Sequence, residues 1–242
     1  MRRRVGLIPV IVALLIVEGV SASIGRALHV DSLGSRLEPV RSAVIHAAGI
    51  ADPFASERDE MVARLDTRYG EHRFVTYVHV VLGGLFLLVA PLQFSGRLRR
   101  RSPSVHRWNG RVLVGVAVTL AVSGLFFGAF VPLAGAAERV VVLVFTTVLI
   151  VALVAAVVSI RRGAVRSHRA WMIRAFAVMI GIATIRVVAP GLDIVMTPLG
   201  FAPETVFVTA LWTGWGGTLG AAEYWLRSSP SGVQHVRQPS AV

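Results

Sequence analysis

The sequence predicts an all-α protein, a polytopic membrane helix bundle of six transmembrane helices with a four-helix centre (spans two to five) and both termini cytoplasmic. Three observations lead there. The chain of 242 residues is 55% hydrophobic and 16% charged with a mean hydropathy of +0.68, too little polar residue to clothe a soluble globule. Its apolar residues fall in runs near membrane-spanning length, and within a bilayer only a helix satisfies every backbone group of such a run internally. Two arginine-rich connectors, Gly96 to Arg111 (GRLRRRSPSVHRWNGR) and Arg161 to Arg174 (RRGAVRSHRAWMIR), join these runs, and the first carries six arginines and no acid. Short connectors with that bias stay on the cytoplasmic side, which orients the whole chain.

Composition also excludes several chemistries. No cysteine is present, so disulfides, thiolate metal sites and cysteine nucleophiles are absent. All 25 basic residues are arginine, which removes lysine Schiff bases and the lysine of a phosphate-binding loop. The net charge of +12 would suit nucleic acid in a soluble domain. Here the arginines flank apolar runs, so the expected partner is the lipid bilayer and no nucleic acid.

Residues 1–25 read as the first span, a signal anchor: three arginines, then Val5 to Ile24, apolar apart from Glu18 and the terminal serines. Val20-Ser21-Ala22 fits a cleavage site of a signal peptide, but further spans need no separate secretion signal, so an uncleaved helix is preferred. Residues 26–72 hold six arginines against eight acids and belong outside as an extracytoplasmic loop. In it, Pro53 and Ser56-x-x-Asp59 start a short amphipathic surface helix carrying Met61, Val62, Leu65 and Tyr69, which Gly70 is placed to end.

Residues 73–226 form a five-span membrane bundle. Arg73 to Phe94 runs inward with His79, Gly83, Phe86, Ala90 and Gln93 on one side. Pro103 to Val131 returns outward, and its small residues Gly110, Ala117, Ala121, Gly124 and Gly128 permit close helix approach or room for a flat ligand. After an outer turn, Pro132 to Glu138, the span Arg139 to Ile160 reads as structural filler. His168 to Val188 holds Arg174 near its inner end and Arg186 near its outer end. Pro190, Gly191, Pro198, Gly200 and Pro203 then predict an outer loop over Ala189 to Pro203. Glu204 to Leu226 is the last span, and residues 227–242 are a disordered cytoplasmic tail. Sixteen arginines lie in the segments assigned to the inside, with Glu223 the one nearby acid.

Two constellations carry the chemistry. At the inner face, Ser102 or Ser104 and Ser167 are N-cap candidates ahead of His106-Arg107 and His168-Arg169. Helix N-termini with flanking arginines attract anions. Gln93, His106, Arg107, Arg111, His168, Arg169, Arg174 and Glu223 thus form an inner-face ligand site, with His106 and His168 as the ligands if it holds haem b. At the outer face, Glu18, His79 and Arg186 fall at similar depth. An arginine that deep calls for a partner, so an ion pair with Glu18 is expected. His79 is about 20 Å from the inner histidines by helix rise and cannot share their metal.

On His79 with Gly83-Gly84, Pro91-x-Gln93-Phe94, His106-Arg107-x-x-Gly110-Arg111 and His168-Arg169-x-Trp171-Met172-x-Arg174, the chain from Tyr77 to Arg186 resembles a family of uncharacterised bacterial multi-span membrane proteins, catalogued as a domain of unknown function. It has a looser likeness to four-helix cytochrome b membrane proteins in helix count and helix-end histidines. The resemblance implies the fold and a place in the bacterial cytoplasmic (inner) membrane, and no reaction. Two functions stay open: a membrane redox or cofactor/quinone-binding protein using the inner His/Arg site, and a transporter or protein binding an anionic ligand or lipid through its arginines.

Overall fold

The computed structural model describes residues 7–33, 42–43, 45–47, 49 and 52–228, and every regular element among them is helical. In chain order these are α1 (Leu7–Leu28), α2 (Ala55–Glu71), α3 (Arg73–Val89) with a 3-10 turn (Ala90–Phe94), and the short α4 (Gly96–Arg101). Next come α5 (Pro103–Leu125) closing in a π turn (Phe126–Phe130), α6 (Gly135–Arg161), α7 (Val165–Met196) with a 3-10 turn (Thr197–Leu199), and α8 (Pro203–Ser228). The expectations for Arg2 to Arg4 and for the tail beyond Ser228 lie outside the described residues.

Five stretches are long and apolar enough to cross a membrane: Pro9–Leu28, Arg73–Phe94, Pro103–Phe130, Gly135–Arg161 and Val165–Leu199. The shortest has 20 residues, which at helical rise spans about 30 Å, the thickness of a bilayer's hydrocarbon core. Their outward faces keep large apolar side chains exposed, among them Leu14, Val17, Phe74, Leu88, Val122 and Val154. That surface suits lipid and not water. The protein is an integral membrane helix bundle.

Packing is tightest where α7 meets α8 and α6, while α1 packs mainly on α3. Small residues set the close approach: a Cβ on Gly214 would lie 2.3 Å from Ile185 Cγ1 and 2.9 Å from its backbone N, and one on Gly181 would lie 2.2 Å from Trp215 Cδ1. Gly216, Gly217 and Gly220 meet nothing within 4 Å, so of the four glycines in α8 only Gly214 is a packing glycine.

Four local expectations are corrected. The loop expected over Ala189 to Pro203 is largely helix, because α7 continues through Pro190 and Gly191 to Met196. Buried contacts beyond the proline hold that extension: Asp193 pairs with Arg58 at 2.6 Å and accepts a hydrogen bond from Thr197 Oγ1 at 2.9 Å. Gly70 does not end α2, which runs on to Glu71; its missing Cβ instead admits Asp31, whose Cβ would stand 2.9 Å away. Ser56 does not cap α2, whose N-cap is Phe54; its hydroxyl bonds Glu57, and Asp52 receives Phe54 N–H. Ser167 does not cap α7 either, because that helix begins at Val165 and the Ser167 hydroxyl bonds Ser159 at 3.0 Å.

Candidate functional site

The helix α2 lies across one end of the bundle and turns inward a face that mixes apolar and charged side chains. Arg58, Asp66 and Arg68 are its buried residues. Charge is expensive to bury unless paired, and here each is paired with a different membrane helix. Arg26 of α1 donates to Asp66 at 2.7 Å and to Val30 O at 3.2 Å. Arg58 reaches Asp193 of α7, Asp52 at 3.3 Å and Thr197 Oγ1 at 2.9 Å. Arg68 donates to Glu138 of α6 at 3.3 Å and to Val131 O at 3.0 Å. Glu138 also accepts the backbone N–H groups of Leu133 and Ala134, which fixes the turn before α6. Cation–π contacts of Arg26 and Arg68 with Tyr69, at 4.6 and 5.3 Å from the ring centre, complete the clamp. The helix is a cap whose inward face carries the expected apolar residues Met61, Val62, Leu65 and Tyr69, which line the space below it, and which buried ion pairs on and beside that face fasten to the bundle.

Beneath this cap is a cavity of about 760 Å³, within the range of sites that hold one drug-sized molecule. It descends between α1, α3, α5, α6, α7 and α8 to the level of Leu149, Val178 and Trp215. Phe86, Phe127, Phe145, Met179 and Trp215 contribute much of its wall, with Phe145 stacked on Trp215 at 5.2 Å. The span read as filler, α6, supplies Phe145, Thr146 and Leu149 to this wall.

Glu18, His79 and Arg186 all line the cavity, and Arg186 is within electrostatic reach of both others. The ion pair expected between Glu18 and Arg186 is not formed. Glu18 Oε2 is buried without a hydrogen-bond partner, and Arg186 makes no hydrogen bond or ion pair among the described residues. His79 Nδ1 bonds Ser123 Oγ at 2.8 Å, and that hydroxyl donates in turn to Thr119 O at 2.8 Å.

At the opposite end, beside the arginine-rich connectors, the remaining candidates are arranged differently. Arg174 forms a two-pronged pair with Glu223, 2.5 and 3.0 Å, and lies 4.6 Å over the Trp171 ring. Arg169 sits 6.0 Å over Trp225. His168 Nδ1 lies 2.9 Å from Ala156 O; a carbonyl only accepts, so that nitrogen carries the hydrogen. His106 is within electrostatic reach of Arg99, Arg107 and His168. Gln93 packs against Gly110, where a Cβ would lie 3.4 Å from its Oε1. Gln93 Nε2, His106 Nδ1 and Asn109 Nδ2 are buried without partners. Arg107 and Arg111 are exposed, and Ser102 precedes α5 without a side-chain cap bond. No group of three or more His, Asp or Glu side chains placed to hold a metal occurs among the described residues.

Residues 76–226, more than half of the chain, match the description "Predicted membrane protein (DUF2306)". The chain belongs to the DUF2306 family of predicted membrane proteins. The family segment begins in α3 and ends in α8, so it contains His79, Arg186 and all the connector-end candidates but neither Glu18 nor the cap helix. No curated protein and no solved structure matches the chain.

Sequence reasoning missed Arg26, Arg58, Asp66, Arg68, Glu138 and Asp193. One signal was available: at helical spacing Arg58 falls within the stripe of Met61, Val62, Leu65 and Tyr69, and Asp66 and Arg68 flank it, so burying that stripe also buries these charges.

Proposed function

We propose that this protein takes one lipid-soluble molecule from the bilayer into the cavity beneath the cap, as a membrane carrier or receptor of that ligand. The observation that carries the reading is the cavity itself. An apolar-walled space of about 760 Å³ gives water too few polar partners to fill it, and leaving it empty forfeits the contacts of its lining atoms. A hydrophobic ligand restores those contacts.

The test is extraction of the protein with its surrounding lipid in polymer-bounded discs, followed by mass spectrometry of the organic extract. One lipophile is expected at near one per chain above the bulk lipid pattern. Gly83→Leu, whose new Cβ would meet only Leu120 at 3.9 Å, should fill the space without unfolding the bundle and deplete that species. An extract identical to bulk lipid for both proteins sinks the proposal.

The reading carries an orientation with it. Six spans place the cap outside a bacterial cytoplasmic membrane and both arginine-rich connectors and both termini inside, so residues 26–72 are extracytoplasmic and residues 73–226 form the five-span bundle. Support comes from the arginine bias and from α8, a 26-residue helix whose Thr209, Thr213 and Thr218 hydroxyls bond carbonyls four residues back. Those bonds lower the cost of burying threonine in lipid. Because the chain lacks cysteine, a single Asp59→Cys should react with an impermeant maleimide on intact cells and Arg100→Cys only after lysis. The reverse pattern inverts the assignment.

A second reading has one observation behind it: the unpartnered Gln93 Nε2, His106 Nδ1 and Asn109 Nδ2 at the connector end favour a polar or anionic head group there.

A further inference from the structure

The polar end of the cavity restricts what its occupant can be. Ser123 has one hydroxyl hydrogen, and with that hydrogen on Thr119 O its oxygen can only accept from His79 Nδ1. His79 therefore carries its hydrogen on Nδ1 and presents a bare lone pair at Nε2. Its ring is held in that pose, with Cε1 against Gly124 (3.4 Å from where a Cβ would be) and Phe127 edge-on at 6.2 Å between ring centres. His79 lines the cavity, and no protein group bonds its Nε2 among the described residues. The Glu18 carboxylate is a second acceptor without a partner, and Arg186 is a donor without one.

Charge narrows the choice further. Glu18 and Arg186 are opposite charges lining the same cavity, so together they are neutral and a net charge on the ligand would have no counterpart in this pair. A carboxylate or phosphate would satisfy Arg186 while facing two acceptors, and a quaternary ammonium would offer no hydrogen at all.

We infer that the cavity's ligand is an uncharged lipophile whose polar end carries a hydroxyl, donated to His79 Nε2 or Glu18, beside an oxygen that accepts from Arg186. This rests on the reading that the cavity binds a lipid-soluble molecule. Quinols and partial glycerides share the required chemistry, and the rings of Phe86, Phe127 and Trp215 give a flat head group surfaces to lie on.

The experiment is equilibrium binding of four probes of equal chain length to the full chain in lipid discs: decylhydroquinone kept reduced, its dimethyl ether, monodecanoylglycerol and decanoate. Either hydroxylated probe should bind about fivefold tighter than the ether, the factor given by one net hydrogen bond of ordinary strength. Decanoate should bind weakest. Which hydroxylated probe is tighter assigns the source as quinol or glyceride. The double variant His79→Phe with Glu18→Leu should bring the ratio of hydroquinone to ether down to about one, while Arg186→Gln should weaken every oxygen-bearing probe. The wild-type ratio decides the matter even if the double variant fails to fold. Equal affinity for ether and hydroquinone, or preference for decanoate, overturns this inference and leaves lipid binding standing. Binding of none of the four overturns lipid binding as well.

Discussion

The two ends of the bundle use arginine in opposite ways. At the cap end Arg26, Arg58 and Arg68 are buried and each meets a carboxylate, whereas at the connector end Arg99, Arg100, Arg101, Arg107 and Arg111 are exposed and Arg174 alone forms an ion pair among the described residues. The difference teaches what each arginine is for. An exposed arginine at a helix end keeps its hydration and meets lipid phosphates, so it sets orientation and needs no protein partner. A buried one loses its hydration and must be answered residue for residue, so it holds specific helices together.

The sharpest way to break this comparison is to remove one member of a cap-end pair. Arg58→Leu removes the buried cation that Asp193 and Asp52 both contact, and Asp193 anchors the end of α7 beyond Pro190. Loss of one partner from a buried pair costs about 3 to 5 kcal/mol. A large fall in melting temperature is expected, with proteolysis beginning near α2, and Arg58→Leu combined with Asp193→Leu should recover part of it. A single variant that melts like the wild type would remove the clamp from the account.

That asymmetry also marks what the sequence could tell. The spans were legible because a bilayer demands about 20 apolar residues in a row, and Arg73–Phe94 and Gly135–Arg161 hold their apolar character almost throughout. The course of α7 past Pro190 was not legible, because the local rule against proline in a helix is overridden by the Asp193 pair with Arg58, a contact 135 residues distant in the chain. The ion pairs of the cap were hidden for a related reason. Helical periodicity identified the inward stripe of Met61, Val62, Leu65 and Tyr69, but an arginine buried against a carboxylate looks in sequence like one in water. Glu18, His79 and Arg186 could be set at one depth by counting residues, and of the small residues that offered room for a ligand Ala121, Gly124 and Gly128 do line the cavity, yet its extent depends on how six helices pack. At the connector end, the histidines could be placed by helix boundaries, while the engagement of Arg174 by Glu223 depended on α7 and α8 packing side by side.

The connector end should yield a smaller effect, which sharpens the same contrast. The Arg174 and Glu223 side chains are 25% and 31% exposed, so solvent screens their attraction and the pair is worth nearer the surface value of up to about 1 kcal/mol than the buried one. Arg174→Gln removes the charge while keeping a donor near Glu223 and a stem over Trp171. A drop of only a few degrees in melting temperature is therefore expected, and it should shrink further at high salt because the lost interaction is one that ions can screen. Arg58→Leu, whose pair is nine-tenths enclosed, should show almost no such salt dependence. If the two variants responded alike to salt and by similar amounts, burial would not be what separates the two ends, and the cap would be held as loosely as the connector.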